Sequence, residues 1–194
     1  MIYKVQNKKN LQIAAENIEI GKIIIYPTDT LYGFGVDAKN CESINELNLI
    51  KGRIQPYSII VDSIKMIERY AHLPDINKID LSEIFPGPFT VILKEKKNDL
   101  SPLVNLNNGT LGFRIPNSKF ILDLIKYIKK PIITTSINKH NEKSLNDLQS
   151  IKSKFPNIDS FIDTFNSQSK GSTVLNLCNE PFKILRKGDG VINL

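Results

Sequence analysis

The sequence predicts an α/β (α+β) fold: one domain, residues 1–194, with a mixed parallel and antiparallel sheet flanked by helices. Three observations predict it. Short apolar runs alternate with stretches of helical periodicity along most of the chain. The last part instead places three strand-like runs close together, "FIDTF", "STVLNL" and "FKILRKG", which argues against a purely parallel sheet. No repeat, long linker or low-complexity tract interrupts the 194 residues, a length that buries a sizeable core without staples.

Taken in order, Leu11, Ala14, Ala15 and Ile18 fall on one helical face, with Gly21 as a stop. "KIIIYP" reads as a buried strand ended by Pro27. Ile44, Leu47 and Ile50 mark a second helix closed by Gly52. "YSIIVD" is a strand, and "SIKMIERYAHL" a helix with Ser63 as N-cap. "FTVILKE" is a strand, followed by a polar loop, "NDLSPLVNLNNGT", whose residues 98–108 could serve as a lid. "LGFRIP" is a strand, "SKFILDLIKYIKK" an amphipathic helix capped by Ser118, "PIITTS" a strand and "SLNDLQSIKSKF" a weaker helix.

Composition excludes several classes. No apolar run reaches the ~18 residues of a membrane span, and the N-terminus lacks the apolar core of a signal peptide, so the expected location is cytoplasmic. Cys41 and Cys178 form no disulfide framework, and His72 and His140 are too few for a His-rich zinc site, so no protein-held metal is expected. The net charge of +6 suits an anionic ligand or a nucleic acid and does not choose between them.

The segment "YPTDTLYGFGVDA", residues 26–38, stands out as a polar, glycine-punctuated turn directly after a buried strand. Gly33, Gly35 and Ala38 fit G-x-G-x-x-A, but in a dinucleotide turn the glycines follow the strand at once, and here six residues intervene. No P-loop is present either. In "KGR", Lys51 and Arg53 lie two apart; on an extended chain both leave one face and make an anion clamp. Ser136 and Asn138 in "TTSIN" have the same spacing at a strand end, where a hydroxyl and an amide can hold phosphate or sugar, or simply end the strand. Arg114 sits among Leu111, Phe113 and Ile115 and must reach an anion or solvent. Ser172 and Arg186 lie at strand ends.

The ordered set "YPTDTLYGFGVDA", "IKGR", "FPGPFTVIL", "GTLGFRIP", "TTSIN", "STVLNL" and "ILRKG" resembles the YrdC/Sua5 family, the threonylcarbamoyl-AMP synthases, over about Leu11 to Gly188. The resemblance is to the short single-domain form, with no residues left for the C-terminal Sua5 domain. It implies a twisted mixed sheet with a basic concave face. It also implies a nucleotidyltransferase reaction: L-threonine, bicarbonate or CO2, and ATP give threonylcarbamoyl-AMP and pyrophosphate, for N6-threonylcarbamoyladenosine in tRNA. Mg2+ is then expected, held mainly through ATP. A downstream transferase complex is the expected partner, with weak tRNA contact.

By motif, the resemblance assigns Lys51 and Arg53 to catalysis. It assigns Thr28, Tyr32, Arg53, Arg114 and Ser172 to threonine, and Lys51, Thr110, Ser136, Asn138 and Arg186 to the nucleotide. Asp29 and Thr30 would line the same amino-acid pocket, where an absence of Lys and Arg tolerates an ammonium. Departures from the family pattern include Ile54 and Ser58 for prolines, Asp62 for a His near the amino-acid pocket, and "SINKHN" for the usual loop after Asn138. Two rivals remain in view: a non-catalytic protein that grips tRNA or double-stranded RNA with a basic sheet, and a carbamoyl-phosphate enzyme, whose partner domains are not seen.

Overall fold

A computed structural model describes residues 1–138, 142, 144–145, 147–163 and 168–192. Its strands are β1 (Ile2–Lys4), β2 (Ile24–Tyr26), β3 (Gly33–Asp37), β4 (Ser58–Ile60), β5 (Phe89–Lys94), β6 (Thr110–Arg114), β7 (Ile132–Ser136), β8 (Asp159–Ile162), β9 (Thr173–Asn176) and β10 (Lys183–Arg186). All belong to one sheet in the order β1-β8-β2-β3-β7-β4-β6-β5-β9-β10. β8 pairs in parallel with both β1 and β2, as do β4 with β6 and β5 with β9; the other pairings are antiparallel. The mixed sheet expected from the tail is therefore present. His140 lies outside the described residues, as do positions 139 and 141 of "SINKHN".

Helix α1 (Lys8–Glu19) is capped by the Asn7 side chain and packs against α4 (Lys119–Ile128), whose Phe120, Ile121, Leu124, Ile125 and Ile128 are buried. Phe161 of β8 stacks between Tyr3 of β1 and Phe120 of α4, at ring-centroid separations of 5.0 and 5.4 Å. Burying one such ring contributes about 1.5–3 kcal/mol relative to leaving it in water. Ser118 holds the N-cap position without a side-chain capping bond.

Helix α2 (Cys41–Lys51) starts at Asn40, whose Oδ1 accepts from the amides of Glu42 and Ser43. It ends at Gly52 in the left-handed region, φ 64°. This corrects the extended geometry expected for "KGR": Lys51 closes the helix and Gly52 reverses the chain before Arg53. Helix α3 (Ile64–Glu68) is shorter than its periodicity suggests. Ser63 caps it, but its downstream backbone is drawn onto the end of β5, where the His72 amide donates to Lys94 O. Helix α5 (Leu148–Lys154) is capped by Asp147.

The glycine-rich stretch is also corrected. Gly33 and Gly35 sit within β3, buried and antiparallel to β2, with Gly33 opposite Tyr26 and Gly35 opposite Ile24. A Cβ on Gly35 would stand 2.6 Å from Cε1 of Tyr26. The glycine makes room for the Tyr26 ring to lie across the strand, and only residues 27–32 form the loop.

The segment at 98–108 is packed down. The Ser101 amide donates to Ala38 O, the Tyr57 amide donates to Val104 O, and Val104 is fully buried. Among the described residues no helix is long and apolar enough to cross a membrane.

Candidate functional site

Loop ends from both halves of the sheet enclose a cavity of about 300 Å3. Its walls come from Thr30–Gly33 where β3 begins; from Arg53, Pro56 and Tyr57 after α2; from Ser58 and Thr90 at the starts of β4 and β5; from Arg114 and Thr134–Ser136 at the ends of β6 and β7; from Ser144; and from Lys170–Ser172 and Arg186 around β9 and β10. Four of these residues are cations, Arg53, Arg114, Lys170 and Arg186, and none of the described lining residues is a carboxylate. The site is built for negative charge.

Arg114 is nearly buried and is held from behind. Its Nη2 donates to Asp29 Oδ1 at 2.8 Å and to Thr30 Oγ1 at 3.0 Å. Asp29 also accepts the Asn117 amide. The Nε groups of Arg114 and Arg53 are buried with no hydrogen-bond partner. A buried donor left unmade costs about 1–3 kcal/mol, so each of these two cavity arginines carries an uncompensated polar atom.

Arg186 folds over Ser172, donating from Nε and Nη2 to Ser172 O at 3.1 and 2.8 Å and from Nη2 to Ser172 Oγ at 3.0 Å. Ser172 Oγ also meets Thr90 Oγ1 at 2.7 Å. Desolvation, and then the nearby Arg114 charge, hold Arg186 below the ordinary arginine range.

Lys51 does not reach the lining. It is fully buried immediately behind it, and its ammonium donates to Ser136 O at 2.7 Å and to Asn138 Oδ1 at 2.8 Å. Ser136 Oγ donates to the same Asn138 oxygen at 2.7 Å. Burial, and then the Arg53 charge, lower Lys51 to about 8. The two motifs expected to act separately form one partly buried cluster that fixes the end of β7.

Of the residues singled out by sequence, Tyr32, Arg53, Arg114, Ser136, Ser172 and Arg186 line the cavity, and Lys51 and Asn138 support it. Tyr32 is fully buried, and its hydroxyl donates to Asp163 O. Thr28, Asp29 and Thr110 are corrections. Thr28 lies on the groove between α1 and α4; its hydroxyl donates to Leu31 O and accepts the Thr30 amide, so it shapes the loop. Asp29 faces the same groove and presents its carboxylate to Arg114 rather than to the cavity. Thr110 opens β6, four residues from Arg114, and donates to Asn108 Oδ1. No residue of 98–108 lines the cavity, which removes the structural basis for a lid there. Asp62 does not line it either: its carboxylate accepts from Ser63 Oγ.

Sequence reasoning missed Lys170, Tyr57, Thr90 and Thr134. Lys170 precedes the quoted "STV" by two residues, and no charge pattern sets it apart from the chain's other lysines.

The family model for the Sua5/YciO/YrdC domain, described as telomere recombination, matches residues 16–188. The chain belongs to the Sua5/YciO/YrdC family. A Methanocaldococcus jannaschii protein described as a "Putative threonylcarbamoyl-AMP synthase" is 35% identical over 191 residues, covering 96% of this chain and 88% of that protein. The P. abyssi Sua5 structure, complexed with L-threonine, superposes with a TM-score of 0.87 at 26% identity, over 97% of this chain. The present chain spans only 57% of that one. E. coli YciO, at 20% identity, superposes with a TM-score of 0.88 over 98% of this chain and 97% of its own, a likeness of fold. The Sua5/YciO/YrdC assignment thus covers the strands and loops that carry every wall of the cavity except its C-terminal support beyond residue 188.

Proposed function

We propose that the cavity is the active site of a threonylcarbamoyl-AMP synthase, which joins L-threonine, bicarbonate or CO2, and ATP and releases pyrophosphate. The observation that carries this reading is the convergence of Arg53, Arg114, Lys170 and Arg186 on one hydroxyl-lined cavity, with two arginine Nε donors unpartnered. Relatives named for this reaction, and a Sua5 structure holding L-threonine, support the choice of substrates.

The threonine nitrogen would add to the CO2 carbon, forming a C–N bond and losing a proton to give a carbamate. A carbamate oxygen would then attack the α-phosphorus of ATP as the bond to the β-phosphate breaks. Neither step needs a protein nucleophile. The protein's part is to position the reactants and hold the charge that spreads over the oxygens. Arg53, and Arg186 held over Ser172, flank the cavity as cations for phosphate oxygens. Arg114, oriented by Asp29 and Thr30, would take a carboxylate. The partly buried Lys51–Ser136–Asn138 cluster keeps the Ser136 hydroxyl and the β7 end in register with Arg53.

Among the described residues the lining side-chain oxygens are hydroxyls, and no cluster of three or more His, Cys, Asp or Glu suited to a metal occurs. Mg2+ would therefore enter on the phosphates of ATP and water, not on protein carboxylates. The product would be consumed by a transferase that threonylcarbamoylates tRNA.

The test is pyrophosphate release by the purified chain with ATP and Mg2+, with threonine and bicarbonate added or withheld one at a time. Release that requires both supports the reading. Release indifferent to threonine contradicts it.

A further inference from the structure

One wall of the cavity, Lys170–Ser172, belongs to no strand or helix, and a glycine with positive φ sits at its centre: Gly171, φ 85°. Such a turn presents a cation and a hydroxyl reliably only if something fixes its backbone. The chain just after β10 does so, through Asp189. One carboxylate oxygen accepts the Lys170 amide at 2.8 Å, and the other accepts Ser169 Oγ at 2.5 Å. The Asp189 amide returns a bond to Gly171 O at 2.8 Å. Asp189 itself does not line the cavity.

We propose that Asp189 is a positioning residue of the anion site: it locks the Ser169–Gly171 turn so that Lys170 and Ser172, with Arg186 folded over Ser172, present one preformed cationic wall. The proposal rests on the reading of the cavity as a phosphate-binding active site and names what orders one side of it. Neighbouring contacts show how tightly the two segments are laced. The Gly188 amide donates to Thr173 Oγ1, which in turn donates to Gly190 O. A Cβ on Gly188 would fall 2.2 Å from Gly171 O, so the approach admits no side chain. The carboxylate charge of Asp189 is spent on an amide and a hydroxyl of the turn, and those charge-assisted bonds are of the stronger kind. It orders the wall from behind, outside the cavity lining.

The probe is inorganic pyrophosphate, with affinity measured by calorimetry on wild type, Asp189→Ala and Asp189→Asn, alongside kcat and KM for ATP. Asp189→Ala should weaken pyrophosphate binding and raise KM for ATP about tenfold, the equivalent of one lost ordering interaction. Its kcat should change by less than about threefold, because Arg53 and Arg114 are untouched. Asp189→Asn retains an acceptor for the Lys170 amide and should recover most of the affinity. If Asp189→Ala does not fold, Ser169→Ala against wild type carries the comparison, and full wild-type affinity in Ser169→Ala overturns the role. Equal pyrophosphate affinity in wild type and Asp189→Ala overturns the role of Asp189 alone. No pyrophosphate binding by the wild type overturns the anion-site reading beneath it.

Discussion

The ammonium of Lys51 ends 2.8 Å from the side-chain oxygen of Asn138, 87 residues further along the chain. That contact joins the last turn of α2 to the end of β7, and Ser136 O takes a second hydrogen bond from the same nitrogen. The cluster sits behind the cavity and supports the hydroxyl that faces it.

Lys51→Met keeps the side-chain volume and removes the ammonium. It relieves the desolvation cost of the ammonium but takes a donor from Ser136 O and Asn138 Oδ1, and the two effects oppose one another. The thermal midpoint should move by only a few degrees, about the effect of 1 kcal/mol in a chain of this size. Pyrophosphate release should fall by about 10²-fold, the scale of a small misplacement of positioned groups. A folded variant that stays fully active would show that the cluster serves packing alone.

The lowered Lys51 value of about 8 makes a pH prediction. The unfolded chain, near 10.5, binds this proton more tightly than the folded one does. The penalty on the fold is therefore fully present below about pH 8 and is relieved as pH rises from there toward 10.5. Chemical denaturation at pH 7, 8, 9 and 10 should show wild type gaining on Lys51→Met over that interval. The expected activity runs the other way, falling above about pH 8 as the cation is lost. A stability difference that stays flat across the interval refutes the assignment.

Gly35→Ala tests the packing of β2 on β3. The added methyl would meet Tyr26 Cε1 at 2.6 Å and Ile132 Cδ1 at 3.2 Å, both in the core. Overpacking of this kind costs about 1–3 kcal/mol. Pairing it with Tyr26→Leu, which clears the ring, should return part of that loss in a double-mutant cycle. Additive effects would mean that the two residues do not clash.

These residues show what the sequence makes legible. Apolar periodicity located α1, α4, β2, β5 and β7, because burial on one face writes itself into spacing. The order of short motifs brought Arg53, Arg114, Ser136, Ser172 and Arg186 to one site, although they are spread over more than 130 positions. What escaped was set by tertiary contact. Gly33 and Gly35 read as a turn because glycine usually marks one; their role in a strand depends on the Tyr26 ring across from them. Lys51 and Arg53 read as a pair on one face, and only the left-handed Gly52 between them shows otherwise. β1, three residues at the sheet edge, is too short for a periodic signal. Thr28 and Thr110 carried the right motif letters, yet local bonds to Leu31 O and Asn108 Oδ1 engage their hydroxyls away from the cavity.

Asp62 replaces a His that the family resemblance places near the amino-acid pocket, but here its carboxylate accepts from Ser63 Oγ and it does not line the cavity. Asp62→His should therefore leave KM for threonine within about twofold, as for surface changes away from a site. A tenfold shift in threonine KM, or a new preference for serine, would place this position in the amino-acid pocket after all.

The proposed function requires one cavity to join three substrates. The most direct measurement is to supply labelled bicarbonate with threonine, ATP and Mg2+, and to isolate the nucleotide product by chromatography and mass spectrometry. The account predicts label in a single species containing both the threonine and AMP moieties, formed by wild type and absent with Arg53→Ala. Label that never appears with AMP, from a folded protein that still binds pyrophosphate, would contradict it.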